Sequence, residues 1–145
     1  MIYTDLTRKA IRIACFAHQG QVDKAGIPYV LHPIHLAEQM ETEDTCVVAL
    51  LHDILEDTDV SVEDLEAVGF PQNQIDAIIV MTHDKGEDYM DYVRRVKKNP
   101  IAAVVKKEDI LHNLDLTRIP DIRESDYQRV EKKYKPALKI LEENV

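Results

Sequence analysis

The spacing of the apolar residues is the feature that most restricts the fold of this chain. Apolar side chains recur mostly at intervals of three or four residues, as in the series Leu6, Ala10, Ile13, Ala14 and Ala17, and this is the period of one face of an α-helix. Glycine occurs four times, and neither Asn-Gly nor Asp-Gly occurs, so the usual signals of a β-hairpin are missing. We therefore predict an all-α fold, a compact bundle of helices.

Helix-breaking and capping residues give the approximate bounds of the predicted helices. Residues 20–33, with Gly26 and Pro28 inside them, form the longest predicted irregular stretch, and such loops often carry binding residues. No shift in composition marks a linker, so we predict a single domain over residues 1–145. The predicted helices cover residues 4–18, 34–40 after Pro33, 44–56, 61–69, 71–82, 88–98, 100–116 and a last helix that Ser125 caps and Pro136 kinks.

The charge of the chain restricts its partners. Eighteen basic residues against 27 acidic ones give a net charge of −9, which argues against binding the phosphate backbone of long nucleic acids. A small anionic substrate would have to be neutralised locally, by a metal or by a few placed lysines. The longest apolar run, Cys46 to Leu51, is far shorter than the ~20 residues of a membrane span. The N-terminus also lacks a secretory signal, so we expect a cytoplasmic protein with two buried thiols, Cys15 and Cys46.

The segment Leu51-His52-Asp53-Ile54-Leu55-Glu56-Asp57-Thr58 is the strongest chemical signal in the chain. In a helix, Glu56 lies one turn beyond His52 and Asp53, so we expect all the titratable groups to surround one cleft. A His-Asp pair suits Mn²⁺, Fe²⁺ or Zn²⁺ but is incomplete as a site. His32 and Asp109 would complete a set of two nitrogen and two oxygen ligands.

A second His-Asp pair, His83-Asp84, serves as an internal control. An acidic pair, Glu87-Asp88, follows it at the same spacing, but His83 falls near a predicted helix C-terminus, where a partly protonated imidazole favours the helix dipole. We therefore interpret this second pair as structural.

Three blocks of the sequence carry a family resemblance. They are Ala17 to Gln21 continuing through Lys24 to Pro33, then Leu50 to Thr58, and then Lys106 to Asn113. In this order the blocks resemble the HD superfamily of metal-dependent phosphohydrolases, and within it the alarmone hydrolase domains of the RelA/SpoT type, including their free-standing small versions. The resemblance extends over residues 17–114 and implies an HD-type helical bundle.

The resemblance implies a role for each of nine residues. The ligands of one divalent metal, usually Mn²⁺ in this family, would be His32, His52, Asp53 and Asp109. The catalytic acidic pair would be Glu56 and Asp57, and the substrate would contact Lys24, Lys106 and Asn113. The reaction would be an in-line attack by water that removes pyrophosphate from the 3′ position of a nucleotide such as (p)ppGpp.

Two residues depart from the family pattern. Asp23 stands where the family commonly has an arginine, and Leu116 stands where it often has a threonine. An aspartate near substrate phosphates repels them, so an adenosine alarmone or another nucleotide stays open as the substrate. Tyr29 is interpreted as a packing residue, and for His18 and His35 a role beside the metal ligands and a core or capping role are equally supported.

Three alternatives to an alarmone hydrolase stay open. The same metal site could act on nucleoside monophosphates or another phosphate ester, or the domain could sense a nucleotide without turning it over. A purely structural helical domain is disfavoured, because unpaired buried charges are costly. The sequence does not indicate an oligomeric state. With 145 residues we expect no synthetase or regulatory domain, and therefore hydrolysis without synthesis.

Overall fold

The structure is a computed structural model that describes residues 1–143, and its regular elements are helices. A 3₁₀ turn covers Leu116–Arg118 and a π-helical turn covers Val130–Tyr134. Within residues 1–143 the only β pairing is an isolated bridge between Val22 and Pro28, so the predicted all-α fold is confirmed. The α-helices are α1 (Asp5–Ala17), α2 (Leu31–Glu38), α3 (Glu43–Leu51), α4 (Ile54–Asp57), α5 (Val62–Val68), α6 (Gln72–Val80), α7 (Tyr89–Lys97), α8 (Pro100–Leu114), α9 (Glu124–Arg129) and α10 (Lys135–Glu142).

Helix α3 is the centre of the hydrophobic core. It packs against α1, α2, α6 and α8, and every residue from Cys46 to Leu51 is fully buried. A helix that is apolar on all sides must be covered on all sides, and this explains why the densest apolar run of the sequence lies here. The prediction of a buried thiol is confirmed for Cys46 and wrong for Cys15, which is exposed because α1 buries Ala10 and Ala14 instead.

Local capping contacts fix several helix ends where the sequence predicts them. Ser61 and Asp64 form a capping box at the start of α5, and Gly69 ends that helix with a φ of 101°, a conformation that glycine adopts without strain. Asn99 caps α8, whose first residue is Pro100. None of the helices in the described range is both long enough and apolar enough to cross a bilayer.

The predicted helix 44–56 is interrupted, and the interruption lies at the His-Asp pair. Helix α3 ends at Leu51 and α4 begins at Ile54, because Asp53 adopts φ −116° and ψ 11°, which is outside the helical region. The Asp57 N–H still donates to the Asp53 carbonyl at 3.0 Å. The chain therefore turns at Asp53 and then resumes one helical turn, which brings α4 beside the ligands.

Two further predicted boundaries differ from the structure. Helix α2 begins at Leu31, so His32 lies inside its first turn and Pro33 is not the first residue. The predicted last helix begins as α9, and its cap is Arg123, whose N–H donates to the Asp126 carboxylate at 2.9 Å, and not Ser125. Pro136 lacks an N–H, and the preceding turn widens to the π form with a bond from the Lys135 N–H to the Val130 carbonyl.

Candidate metal centre and active site

One cavity collects the residues that the sequence singles out. It has a volume of about 560 Å³ and lies between the α1–α2 loop, the α3–α4 turn, α8 and the last helical segments. Such a volume is within the ordinary range of small-molecule sites. The nine predicted site residues all border it: Lys24, His32, His52, Asp53, Glu56, Asp57, Lys106, Asp109 and Asn113.

Three buried side chains from three helical elements meet at the floor of this cavity. His32 of α2, His52 at the end of α3 and Asp109 of α8 each offer a ligand atom, and these atoms lie within 4.8 Å of one another. The His32 Nε2 atom is 2.9 Å from Asp109 Oδ1, and the His52 Nε2 atom is 3.9 Å from the same oxygen. Imidazole nitrogens and a carboxylate converging on one point are a suitable donor set for a divalent transition metal.

Asp53, the fourth predicted ligand, lies beside this cluster. Its Oδ2 atom is 3.7 Å from His52 Nε2 and accepts a hydrogen bond from the Tyr29 hydroxyl. Its Oδ1 atom is buried and has no hydrogen-bond partner among the described residues, although His18 Nε2 is 3.3 Å away. Asp53 thus faces His52 through Oδ2 and His18 through Oδ1, and the fit of the site to a divalent metal rests on the imidazole and carboxylate donors of the cluster itself.

The carboxylates of the cluster are held in their ionised form. Burial by itself raises the pKa of Asp53, but His52, His18 and Tyr29 outweigh it and bring that pKa below its ordinary value. Burial likewise opposes ionisation of Asp109, yet Lys106, with smaller contributions from the nearby histidines, lowers the pKa of Asp109 well below its ordinary value. Ionised carboxylates are the form that binds a metal.

The two ligand histidines are oriented through their other ring nitrogen. His52 Nδ1 donates to the Ala49 carbonyl at 2.8 Å, which leaves Nε2 free for the site. His32 Nδ1 is 2.7 Å from His112 Nδ1. Burial, together with the nearby Arg118, lowers the pKa of His112 to about 4, so His112 is neutral and its Nδ1 accepts a hydrogen bond from His32 Nδ1–H. Such contacts fix the tautomer of a metal-binding imidazole.

Lys106 and Asn113, two predicted substrate contacts, both touch Asp109. The Lys106 ammonium is 2.8 Å from Asp109 Oδ2 and is buried, and the Asn113 amide donates to Asp109 Oδ1 at 3.3 Å. Burial lowers the pKa of Lys106, but Asp109 outweighs it and the net pKa is raised. Lys106 is therefore a charged partner of Asp109 and not an ordinary surface lysine, although it also borders the cavity.

The acidic pair lies at the rim of the cavity on α4. Glu56 and Asp57 are both exposed, and the Glu56 Oε1 atom accepts a hydrogen bond of 2.8 Å from the His83 N–H. Burial, with repulsion from Asp53 and Glu56, raises the pKa of Asp57 above its ordinary value. A carboxylate with a raised pKa at the edge of a donor cluster can exchange a proton with a reacting water.

Two residues that the sequence analysis assigned to packing belong to the cavity wall. Tyr29 was interpreted as a packing residue, but its hydroxyl contacts the Asp53 carboxylate. The imidazole of His83 bonds to the Glu87 carbonyl, which agrees with a structural role, yet the backbone N–H of His83 fixes Glu56. A backbone contact has no signature in the sequence, so no pattern could have predicted it.

A basic wall, defined here as Lys24, Arg118, Arg129 and Lys133, also borders the cavity. Burial, with repulsion from Lys106, lowers the pKa of Lys133, and Arg129 and Lys24 contribute in the same direction. Only Lys24 was predicted to face a substrate. The spacing of Arg129 and Lys133 at i and i+4 places them on one helix face, but that spacing is equally common on solvated faces, and the sequence therefore did not distinguish them.

Asp23, which departs from the family pattern, organises the loop that carries it. Its Oδ1 atom accepts hydrogen bonds from the Ala25 and Ile27 N–H groups at 2.8 and 3.0 Å. Its Oδ2 atom is 3.9 Å from the Arg118 guanidinium, which comes from the 3₁₀ turn after α8. The carboxylate is therefore directed largely into its own loop, and an arginine from a distant part of the chain lies beside it.

Comparisons with known proteins were made for sequence and for structure. No family model matches the chain. The chain is 30% identical over 141 residues to a guanosine-3′,5′-bis(diphosphate) 3′-pyrophosphohydrolase of Vibrio cholerae, a match covering 93% of this chain. It also superimposes on a metazoan SpoT orthologue, described as hydrolysing ppGpp, with a TM-score of 0.81 and 24% identity over 98% of this chain and 88% of the other. The chain therefore resembles the RelA/SpoT-type HD hydrolase domain in sequence and has the same helical fold.

A further relative of this HD domain is longer and shares a shorter segment with it. The bifunctional (p)ppGpp synthase/hydrolase SpoT of Escherichia coli is 41% identical over 63 residues, which are 41% of this chain and 9% of that protein. The match to the Vibrio protein covers 20% of the latter's length. The HD domain described here thus spans a fifth or less of these curated relatives.

Proposed function

We propose that this HD domain is a metal-dependent phosphohydrolase that releases pyrophosphate from the 3′ position of (p)ppGpp or a related alarmone. One observation carries the proposal: a single cavity of about 560 Å³ joins a buried His/Asp donor cluster, an acidic pair and a basic wall. The names of the similar proteins support the choice of substrate.

The proposed metal ligands are His32, His52, Asp53 and Asp109, and the proposed metal is Mn²⁺. Three of these residues already converge, and the Oδ2 atom of Asp53 lies 3.7 Å from His52 Nε2. A mixed imidazole and carboxylate set also accepts Fe²⁺ or Zn²⁺, so the metal is to be identified by measurement. When bound, a divalent metal lowers the pKa of water and stabilises the charge that develops on phosphoryl oxygens.

The acidic pair would handle the attacking water. Asp57, with its raised pKa, takes the proton as the water oxygen bonds to phosphorus. Glu56, held by the His83 N–H, orients the same water for in-line attack. The bond between phosphorus and the 3′ oxygen breaks, the proton taken by Asp57 is passed through solvent to the 3′ oxygen, and pyrophosphate leaves.

The basic wall would hold the phosphate charge of the substrate. With a net charge of −9, the protein as a whole repels an anion, so attraction must be local. Lys133 lies among other cations that lower its pKa, and an anion bound between these side chains would remove their mutual repulsion. Lys24 belongs to this wall, and Asn113, which borders the same cavity, would add an amide contact to the substrate.

The test uses metal-stripped protein, added Mn²⁺, and ppGpp and ppApp as parallel substrates. We expect pyrophosphate release from at least one of them, which Asp109→Ala abolishes because it removes a ligand. Asp76→Ala is the matched control, since Asp76 lies on the exposed face of α6 and bonds only to Gln72 in the described residues. Tight nucleotide binding without product would favour a sensing module, and turnover of another phosphate ester alone would favour the second enzyme class.

A further inference from the structure

We propose that Arg95 is a positioning residue that holds Glu56 in place through the segment 80–87. The inference rests on the proposed function for its effect on rate, but the contact itself is a property of the fold. Arg95 lies on α7 and does not line the cavity. It acts through the segment that joins α6 to α7.

Arg95 binds this segment at three points. Its Nη1 atom donates to the Val80 carbonyl at 2.8 Å, and its Nη2 atom donates to the Thr82 carbonyl at 3.0 Å. Its guanidinium also forms a two-point contact with the Glu87 carboxylate, at 3.0 and 2.8 Å. Val80 and Glu87 are the two ends of the segment. Because the guanidinium is planar and rigid, its simultaneous hydrogen bonds to both ends restrict the conformation of the residues between them.

The fixed segment presents the His83 N–H to Glu56. The His83 ring bonds to the Glu87 carbonyl at 2.7 Å. The segment is therefore held by this internal contact as well as by the contacts with Arg95. The 2.8 Å bond from the His83 N–H is the only hydrogen bond that the Glu56 carboxylate makes within residues 1–143. The direction of that exposed carboxylate therefore depends on where the segment is held.

Helix α7 also contacts the other side of the site. Tyr92, one turn before Arg95, is buried, and its ring centroid lies 4.7 Å from that of the His83 ring, with the two rings tilted by 39°. The Lys106 ammonium lies 5.1 Å above the same Tyr92 ring and binds Asp109. One helix thus touches the segment that orients Glu56 and the lysine that neutralises the metal-ligand candidate.

The preceding arginine offers a matched control. Arg94 is on the same helix, but its contact in the described residues is an exposed pair with Asp91 at 3.0 Å. Replacing Arg94 removes the same charge and leaves the segment 80–87 untouched. A difference between the two variants therefore reports on contacts and not on net charge.

The experiment compares Arg95→Ala, Arg95→Lys and Arg94→Ala in the Mn²⁺-loaded protein, each also in a Glu56→Gln background. For Arg95→Ala we expect kcat on the alarmone to fall by roughly 10- to 100-fold, because a small displacement of an orienting group has effects of that size, while KM stays within about twofold. Arg95→Lys cannot make the forked contacts and should not restore the rate. In the Glu56→Gln background, Arg95→Ala should cause no further fall in kcat, since Arg95 acts on the rate only by orienting the Glu56 carboxylate.

A second measurement does not depend on activity. Amide hydrogen exchange at His83 should become at least about tenfold faster in Arg95→Ala and stay unchanged in Arg94→Ala, because the segment loses its anchor. Glu87→Gln breaks the same pair from the other side and replaces Arg95→Ala if that variant does not fold. If wild-type protein hydrolyses no alarmone, the proposed function fails, and His83 exchange still decides this inference. Equal exchange in both arginine variants, or a full further loss of kcat in the Glu56→Gln background, would overturn it.

Discussion

At the scale of single residues, the pair Lys106 and Asp109 shows how charge is kept at the bottom of the cavity. Both side chains are about nine-tenths buried and lie 2.8 Å apart, so each neutralises the other. Lys107, the next residue, pairs with Glu142 at 3.6 Å on the surface. The contrast between neighbouring lysines permits a direct test.

Lys106→Ala should lower the free energy of unfolding of the metal-free protein by about 3–5 kcal/mol, because it leaves Asp109 buried without its cation. Added Mn²⁺ should recover part of this loss by supplying positive charge at the same place. Lys107→Ala should change the free energy by less than about 1 kcal/mol. Urea unfolding of the three proteins with and without Mn²⁺ measures both effects, and equal losses in the two variants would contradict this assignment.

The raised pKa of Asp57 leads to a prediction about pH. If Asp57 takes the proton of the attacking water, it must be ionised, and the rate falls as the pH drops through its pKa. Because that pKa lies above the ordinary value of 3.8, the acid limb of the kcat profile should lie above it too. Asp57→Asn should lower kcat and remove this limb. An unchanged limb in the variant would assign the titration to another group.

Prediction of individual residues was correct where several titratable side chains are close together in the sequence. His52, Asp53, Glu56 and Asp57 come from one short segment, and the structure brings them to one cavity as expected; their roles stay predictions. Tyr29 and the His83 N–H were missed, since one requires knowledge of a long-range contact and the other is a backbone group.

At the scale of elements, the helices were predicted from periodicity and caps, and the errors have local causes. The break between α3 and α4 was missed because no proline or glycine marks it; Asp53 departs from helical geometry without any breaker nearby. The start of α9 was misplaced because serine is the commoner capping residue, whereas here the Arg123 N–H donates to the Asp126 carboxylate and Arg123 is the cap.

Helix α3 should dominate the stability of the fold. Leu50 is fully buried in it, whereas Leu111 on α8 is 37% exposed. Leu50→Ala should therefore cost about 2–5 kcal/mol of unfolding free energy through lost contacts and a cavity, and Leu111→Ala about 1 kcal/mol or less. Chemical denaturation checks the difference, and similar midpoints for the two variants would show that α3 is not the centre of the core.

At the scale of the whole molecule, the cavity forms only when distant parts of the chain meet. His32 and Asp109 are brought together by the packing of α2 on α8, and Arg129 and Lys133 enter from the last helical segments. The three-block resemblance predicted the donor cluster. It did not predict the basic wall beyond Lys24, because Arg118, Arg129 and Lys133 carry no motif and come to the cavity only through the packing of the folded chain.

Metal removal should be visible in the stability of the whole domain. A ligand that binds only the folded state adds RT ln(1 + [L]/Kd), about 2.7 kcal/mol at one hundred times Kd. Mn²⁺ should therefore raise Tm, and a chelator should reverse the shift. His52→Ala should abolish the shift without preventing folding, whereas a shift that persists in this variant would place the metal elsewhere.

The most direct test of the central claim is the identity of the products formed from ppGpp in oxygen-18 water. We expect equal amounts of GDP and pyrophosphate, with the heavy oxygen in pyrophosphate, because water attacks phosphorus and the bond to the 3′ oxygen breaks. Orthophosphate as the first product, heavy oxygen in GDP, or unchanged ppGpp in the presence of Mn²⁺ would contradict it.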